Sequence, residues 1–206
     1  MPDIQYLETA ARTGCLICWF GFLFVFLLRR RPARSVQRKQ ASGINYGLLM
    51  QTLGFSIVWF LQRSRTGTFL QPPDYITLVF SLIAVPLTAM SLLLVVSAVR
   101  TLGKQWSLEA RVVEGHELIT TGPYAIVRNP IYTGMFGMLI GTGCAVSHWA
   151  GLLIGIAVFF AGTRMRVGRE EVLLRETFGA DFDEYAGRVP RLLPFSHAVV
   201  PAGPGT

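Results

Sequence analysis

The sequence predicts an all-α fold, a polytopic membrane helical bundle of about five transmembrane helices with a cytoplasmic, helical C-terminal segment. Two observations lead to this prediction. Hydrophobic residues fill 51% of the 206 positions and charged residues only 15%, which is not the composition of an ordinary soluble domain. In addition, four long stretches contain no Asp, Glu, Lys or Arg, at residues 13–28, 44–62, 75–99 and 131–163. Apolar stretches of about this length are typical of membrane-spanning helices.

The first span is predicted at residues 10–28, because a hydrocarbon core of about 30 Å needs roughly 20 helical residues. A basic cluster follows it directly, formed by Arg29, Arg30, Arg31, Arg34, Arg38 and Lys39. Basic residues accumulate on the cytoplasmic side of spans, so the N-terminus is expected on the opposite side. Asp3, Glu8 and Arg12 precede the charge-free run 13–28, which is not the pattern of a cleaved signal peptide.

Two further spans complete an N-terminal region of three transmembrane helices, residues 1–100. The second is predicted at about 44–62 and the third at about 75–99. Pro86 lies near the middle of the third span, where the missing backbone N–H predicts a kink rather than a break.

The stretch 131–163 predicts a tight helical hairpin as the last two membrane helices. One straight helix of this length would measure about 50 Å, whereas two full spans would need roughly 40 residues, so both legs are expected to be short. The turn is predicted at 147–151, where polar residues, an interfacial Trp and a Gly occur together. Two glycine pairs, Gly137 with Gly141 and Gly151 with Gly155, favour close packing of the legs.

The C-terminal segment is predicted to be cytoplasmic because it is rich in arginine. The arginines are Arg164, Arg166, Arg169, Arg175, Arg188 and Arg191. Residues 170–186 place apolar side chains at helical spacing and are interrupted at Gly179, so a helix is expected there with its apolar face on the membrane helices. The tail, residues 197–206, is rich in Pro and Gly and is predicted to be disordered.

Several classes of function are disfavoured. The formal net charge is +7, but the basic residues cluster beside apolar runs rather than on one basic face, so membrane lipids and not nucleic acid are the expected partners. Cys15, Cys18 and Cys144 lie in apolar stretches without a His at ligand spacing, so no metal site is predicted. The chain also lacks a P-loop and the HExxH and GxSxG motifs.

The most unusual stretch is residues 116–134, HELITTGPYAIVRNPIYTG, a turn-rich linker between two membrane segments. Asn129-Pro130 starts the hairpin helix and holds Arg128 beside its N-terminus. Arg128 is interpreted either as an anchor to lipid headgroups or as a binding residue for a carboxylate or phosphate. Glu170 and Glu171 follow the hairpin and are expected near Arg128. They form either a binding site or ordinary surface pairs such as Arg166 with Glu170.

From about Leu102 to Phe195 the chain resembles the isoprenylcysteine carboxyl methyltransferases and their prokaryotic relatives. The resemblance rests on LGKQWS, on HELITTGPYAIVRNPIY and, after the hairpin, on REEVLLRETFGADFDEYAGRVPRLLPF. It implies that residues 101–196 form a catalytic region that transfers a methyl group from S-adenosylmethionine to a lipophilic or prenylated acceptor from the bilayer. A carboxylate acceptor giving a methyl ester is favoured.

The resemblance also implies which residues act. Arg128 and Glu171 fall on positions expected to be catalytic. The cofactor-binding positions are His116, Leu118, Gly122, Tyr124, Arg128, Asn129, Pro130, Tyr132 and Glu170. The family usually has His where this chain has Asn129, and an Asn side chain donates a hydrogen bond but carries no titrating proton.

Three alternative functions remain open at the level of sequence. A phospholipid or other lipid N-methyltransferase would use the same cofactor but would need a base near the acceptor amine. A membrane reductase of the sterol type would bind a reduced nicotinamide cofactor in a similar helical pocket. A non-enzymatic membrane scaffold would use the arginines only for topology and lipid contact.

Overall fold

The computed structural model describes residues 2–28, 46–63, 74–103 and 117–194. These residues form six α-helices and one short 3-10 helix, Gly122–Ala125. The α-helices are α1 (Pro2–Leu28), α2 (Tyr46–Phe60), α3 (Asp74–Leu102), α4 (Pro130–Val146), α5 (Trp149–Phe178) and α6 (Ala180–Arg188). The predicted all-α class is confirmed. The basic loop 29–39 and the tail 197–206 lie outside the described residues.

The chain is an integral membrane protein with three helices long and apolar enough to cross a bilayer within its described part. These are Ile4–Leu28, Asp74–Leu102 and Trp149–Phe178, with 25, 29 and 30 residues. Tyr46–Phe60 and Pro130–Val146 are also apolar but have only 15 and 17 residues. α3 is continuous through Pro86, so this proline does not break the helix, and the kink stays a prediction.

The prediction that glycines pack the two hairpin legs against each other was wrong. A Cβ atom at Gly141 would meet the Ala84 carbonyl oxygen of α3 at 3.0 Å, and one at Gly137 would meet Ser91 of α3. A Cβ atom at Gly155 would lie 2.9 Å from the Gly54 carbonyl oxygen of α2. Both glycine pairs therefore bring a hairpin leg close to an N-terminal helix, α4 to α3 and α5 to α2.

Buried polar side chains add hydrogen bonds between the apolar helices. Gln51 of α2 donates from Nε2 to Thr163 Oγ1 of α5 over 2.9 Å, and Trp19 of α1 donates from Nε1 to Thr142 Oγ1 of α4 over 3.0 Å. Such bonds satisfy polar groups that cannot form hydrogen bonds with water in a hydrocarbon environment. They hold α1 and α2 against the hairpin at fixed positions.

The hairpin turn is shorter than predicted, because only Ser147 and His148 separate α4 from α5. Gly151, predicted in the turn between the legs, lies in the first helical turn of α5, where a Cβ atom would meet Leu61 at 2.7 Å. The turn is fixed by the chain that leaves α2. His148 N donates to the Leu61 carbonyl oxygen over 2.8 Å, and Arg63 N donates to the Val146 carbonyl oxygen over 2.9 Å.

The second leg is not short, which corrects another prediction. α5 continues past residue 163 to Phe178 without a break, because residues 164–178 hold good helix formers and no proline. The chain reverses at Gly179, the predicted interruption, whose φ is 53° and is therefore easily adopted only by glycine. The apolar face of this region forms a core of its own rather than packing on the membrane helices. That core contains Leu118, Leu174, Phe178, Phe182, Tyr185, Ala186 and Val189.

The contact of α5 with α2 provides a test of the packing. Gly155→Leu is expected to lower the free energy of unfolding by about 1–3 kcal/mol, because the new side chain must displace Val58 and the backbone of Gly54. Unfolding in mixed detergent micelles measures the change. Ala157→Leu places the same side chain at an exposed position of α5 and should change little. Equal losses in the two variants would contradict the assigned contact.

Candidate active site

The linker before α4 contains a tight turn, and Arg128 and Asn129 follow it. Gly122 has φ 60° and starts the 3-10 helix with Pro123 next to it. After this turn Arg128 N donates to the Pro190 carbonyl oxygen over 2.9 Å, which pairs the linker with the chain beyond α6. Asn129 occupies the N-cap position of α4 but its side chain makes no capping hydrogen bond. That side chain is therefore available for other contacts.

The carboxylate of Glu171 is the centre of the candidate site. Its Oε1 atom lies 3.2 Å from Arg128 Nε, and Asn129 Nδ2 donates to the same oxygen over 3.3 Å. Its Oε2 atom lies 2.9 Å from Arg191 Nε. Glu171 is buried in α5, so this one carboxylate joins the linker, the hairpin and the segment after α6.

Arg128 and Asn129 also hold the C-terminal backbone directly. Arg128 Nη1 donates to the Ala186 carbonyl oxygen over 2.7 Å, and Asn129 Nδ2 donates to the Arg191 carbonyl oxygen over 3.0 Å. Burial lowers the pKa of the Arg128 guanidinium, and the adjacent Glu171 carboxylate opposes this shift. The guanidinium still stays charged, because an arginine pKa lies far above neutral pH.

A second polar group lies one residue away, around Glu170. Tyr132 of α4 donates from its hydroxyl to Glu170 Oε1 over 2.5 Å. Arg166 donates from Nε to the Tyr132 hydroxyl over 2.8 Å and lies 3.8 Å from Glu170 Oε1 through Nη2. The expected pair of Arg166 with Glu170 is therefore present, but it also includes a residue of the other hairpin leg. Glu170 and Glu171 thus have separate partners in a single site.

The other predicted site residues lie around these two groups. Leu118 packs into the core below α6, Tyr124 and Pro130 are buried, and Gly122 lies against Thr101 at the end of α3. Tyr185 donates from its hydroxyl to the Tyr124 carbonyl oxygen over 2.7 Å, which fixes α6 to the linker. Burial raises the pKa of Tyr124 above its ordinary value. His116 lies outside the described residues.

Three contact residues were not assigned to the site from the sequence. Arg191 was noted only as one of the basic residues, although it lies within the VPRLLP motif. Tyr185 lies in the stretch 170–186, which was predicted to present an apolar face. Thr133 was not singled out, but the Thr133 hydroxyl donates to the Leu192 carbonyl oxygen over 2.6 Å. The VPRLLP motif after α6 could have indicated Arg191, because it lies at the end of the stretch that carries the resemblance.

Two buried donors make the site capable of binding an anion. Arg128 Nε and Arg191 Nε are within ion-pair distance of Glu171, but neither makes a hydrogen bond within the described part of the chain. Two guanidinium groups also share one carboxylate here. A carboxylate or phosphate that enters the site would supply the missing acceptors. No group of three metal-binding side chains occurs among residues 2–28, 46–63, 74–103 and 117–194.

Comparison with known proteins connects these residues to a family. A model of the phospholipid methyltransferase family matches residues 79–181, which is half of the chain. This chain belongs to the phospholipid methyltransferase family. The match runs from α3 to the first residues of α6 and contains Arg128, Asn129, Glu170 and Glu171. It ends before Arg191, so the third partner of Glu171 lies beyond the matched residues.

Curated relatives confirm the resemblance to isoprenylcysteine carboxyl methyltransferases. Over 101 residues the chain is 32% identical to protein-S-isoprenylcysteine O-methyltransferase B of Arabidopsis thaliana, covering 48% of this chain and 51% of that protein. Over 91 residues it is 38% identical to human protein-S-isoprenylcysteine O-methyltransferase, covering 41% and 30%.

Another relative carries a different name. The nickel-cobalt-cadmium resistance protein NccN of Alcaligenes xylosoxydans xylosoxydans is 35% identical over 97 residues, which cover 46% of this chain and 44% of that protein. The chain thus spans about half or less of the length of these three relatives.

The bond between Tyr185 and Tyr124 provides a test of how α6 is fixed to the linker. Tyr185→Phe is expected to lower the free energy of unfolding by about 1–3 kcal/mol, because the buried Tyr124 carbonyl oxygen loses its donor. Burial raises the pKa of Tyr185 from 10.0 to about 12. The phenol therefore contributes stability that is fully present below about pH 10 and is lost between about pH 10 and pH 12.

Unfolding measured across this pH range should show the alkaline decline in the wild type and a smaller decline in Tyr185→Phe. Tyr6→Phe is the control, since Tyr6 is 76% exposed. The assignment fails if the two variants have the same stability at pH 8 and the same pH profile.

Proposed function

We propose that this chain is an integral membrane methyltransferase that transfers a methyl group from S-adenosylmethionine to the carboxylate of a lipophilic, isoprenylcysteine-like acceptor, giving a methyl ester. The observation that carries the proposal is the position of the match. The family model matches residues 79–181, and over 101 and 91 residues the chain is 32% and 38% identical to proteins named protein-S-isoprenylcysteine O-methyltransferase. That model covers Arg128 and Asn129 and also Glu171, whose carboxylate both of them contact.

The residues present fit S-adenosylmethionine. The cofactor carries a carboxylate, an ammonium group and ribose hydroxyls. The site offers the buried Nε donors of Arg128 and Arg191, which make no hydrogen bond, and the Glu170 carboxylate. When bound, the cofactor supplies a methyl group that its sulfonium has already activated. The residues proposed to hold it are His116, Leu118, Gly122, Tyr124, Arg128, Asn129, Pro130, Tyr132 and Glu170, to which we add Arg191.

Arg128 is proposed to position the acceptor carboxylate. A guanidinium carries five N–H donors, and the contacts with Glu171 and Ala186 involve two of its nitrogens, so it can contact a ligand as well. A carboxylate acceptor needs no base, because it is already deprotonated at neutral pH. Glu171 acts through Arg128 by fixing the plane of the guanidinium. Exact alignment of two reactants can supply several kcal/mol of a barrier, and burial of the site keeps water away.

A second candidate is N-methylation of a phospholipid headgroup, which the description of the matching family favours. An amine acceptor would have to lose a proton before it could attack. Glu170 is the nearest base of the site for that purpose, but it accepts a hydrogen bond from Tyr132 and pairs with Arg166. Both contacts involve Oε1 of Glu170, so the amine would have to reach Oε2 to give up its proton.

The finer topology is part of the proposal. We assign five membrane helices, with the short apolar helices α2 and α4 as the second and fourth. Residues 1–100 form the N-terminal three-helix region and residues 101–196 the catalytic region. The arginines of the C-terminal segment support a cytoplasmic site, with the N-terminus on the opposite side.

The chemistry of the product separates the two candidates. Purified protein incubated with methyl-labelled S-adenosylmethionine and an S-prenylated cysteine is expected to transfer label to a lipid-soluble product. Mild alkali should release that label as methanol, because it cleaves esters and leaves N-methyl groups intact. Phosphatidylethanolamine replaces the prenylated cysteine in the parallel reaction. Alkali-stable label from that lipid would establish the second candidate and overturn the first.

Two conservative substitutions test the site. Arg128→Lys keeps the charge but loses the fork that contacts both Glu171 and Ala186, and Glu171→Gln removes the charge shared by two arginines. Each is expected to lower turnover by about a hundredfold or more, since removal of one positioned donor costs this much in other enzymes. Label transfer measures turnover, and thermal unfolding checks that each variant is folded.

The exposed pair of Arg188 with Glu184 provides matched controls. Its atoms are 3.4 Å apart and its side chains are 69% and 72% exposed. Arg188→Lys and Glu184→Gln repeat the same chemical changes outside the site and should keep wild-type turnover. Wild-type turnover in both site variants would remove Arg128 and Glu171 from the mechanism.

A further inference from the structure

A second buried charged cluster lies at the end of the bundle opposite the candidate active site. Arg63, just after α2, lies 3.3 Å from Glu8 Oε1 of α1 through Nη1 and donates from Nη2 to the Cys144 carbonyl oxygen over 2.9 Å. The side chains of Arg63 and Glu8 are only 7% and 9% exposed. Cys144 is near the last residue of α4, whereas Arg128 and Asn129 precede its first. The 17 residues of α4 separate the two clusters by about 25 Å.

This cluster contains an arginine donor without a partner. Arg12 follows Glu8 by one turn of α1, and its Nε atom is buried without a hydrogen bond in the described part of the chain. Burial lowers the pKa of Arg63, and the Glu8 carboxylate opposes this shift. The charge of Arg12 lowers the pKa further, so Arg12 is close enough to affect Arg63 electrostatically. Two guanidinium groups therefore lie near one carboxylate. A buried donor of a charged group is costly unless an acceptor reaches it.

The aromatic residues at this end indicate the depth of the cluster in the membrane. Tyr6, Phe60, Tyr75 and Trp149 are 76%, 84%, 67% and 46% exposed and lie at the start of α1, the end of α2 and the starts of α3 and α5. Exposed Tyr and Trp at helix ends are typical of the headgroup level of a bilayer. Beyond Arg12 along α1, Ile17 and Phe20 are 66% and 70% exposed and provide an apolar surface for an acyl chain.

We propose that Arg12 and Arg63 bind the phosphate group of a phospholipid from this leaflet, with an acyl chain along the exposed face of α1. Phosphate oxygens accept the charge-assisted hydrogen bonds that arginine donates best. Bound in this way, the lipid ties α1 to the segment after α2 and, through Arg63, to the end of α4. The site is separate from the proposed methyl transfer and does not depend on it.

Native mass spectrometry of the detergent-purified chain tests the proposal. Wild type is expected to retain phosphatidylglycerol, and Arg12→Gln should bind it about tenfold more weakly or worse, as expected for the loss of one charge-assisted contact. Arg188→Gln removes the same charge from an exposed position and should bind like wild type. Arg12→Lys keeps the charge and should restore part of the binding.

Two further ligands identify what is recognised. Diacylglycerol has the same chains without phosphate and should not compete, whereas inorganic phosphate lacks the chains and should bind far more weakly than the lipid. Equal lipid retention in Arg12→Gln and Arg188→Gln would overturn the proposal. So would competition by diacylglycerol, which would show that only the chains bind, or binding of inorganic phosphate as tight as that of the lipid, which would remove the bilayer as the source.

Discussion

The candidate site depends on one buried carboxylate that is shared by three parts of the chain. Glu171 of α5 contacts Arg128 and Asn129 of the linker and Arg191 beyond α6. Without that negative charge, two arginines would face each other in a partly buried environment, where repulsion is weakly screened. A buried pair of this kind adds little to overall stability, because desolvation offsets the attraction. Its effect is on position, since it fixes the linker and the C-terminal segment relative to α5.

The membrane helices determine where Glu171 is. Gly141 brings α4 against α3, and Gly155 brings α5 against α2. Each hairpin leg is thus held by an N-terminal helix rather than only by the other leg. Because α4 starts and the charged part of α5 ends at the same side of the bundle, Asn129 and Glu171 meet although 42 positions separate them. The packing of apolar helices therefore sets the geometry of a polar site.

Much of this arrangement could be predicted from the sequence. Charge-free stretches located the apolar helices, and the hairpin predicted that Arg128 would lie near Glu170 and Glu171. The glycine pairs were assigned to the wrong contact, because a four-residue spacing of small residues identifies a face that packs closely but not the neighbour it packs against.

The length of α5 was missed for a related reason. Thr163 is the last residue of the charge-free stretch 131–163 and marks where that stretch ends. A helix, however, continues until its backbone is interrupted, which in α5 happens at Gly179. Arg191 was missed as a partner of Glu171 because their contact depends on the chain reversal between α5 and α6. Residues 189–192 have no periodic pattern, so neither helical spacing nor charge pairing along one helix connects them to position 171.

The two ends of the bundle have the same electrostatic character, and this connects the two proposals. Near Glu171 there are Arg128 and Arg191, and near Glu8 there are Arg63 and Arg12, so two guanidinium groups lie beside each of these two buried carboxylates. At both ends a buried Nε donor lacks a hydrogen bond. Such buried donors are costly unless an acceptor compensates them. At the active-site end the proposed acceptors are the carboxylates of cofactor and substrate, and at the other end the proposed acceptor is a lipid phosphate.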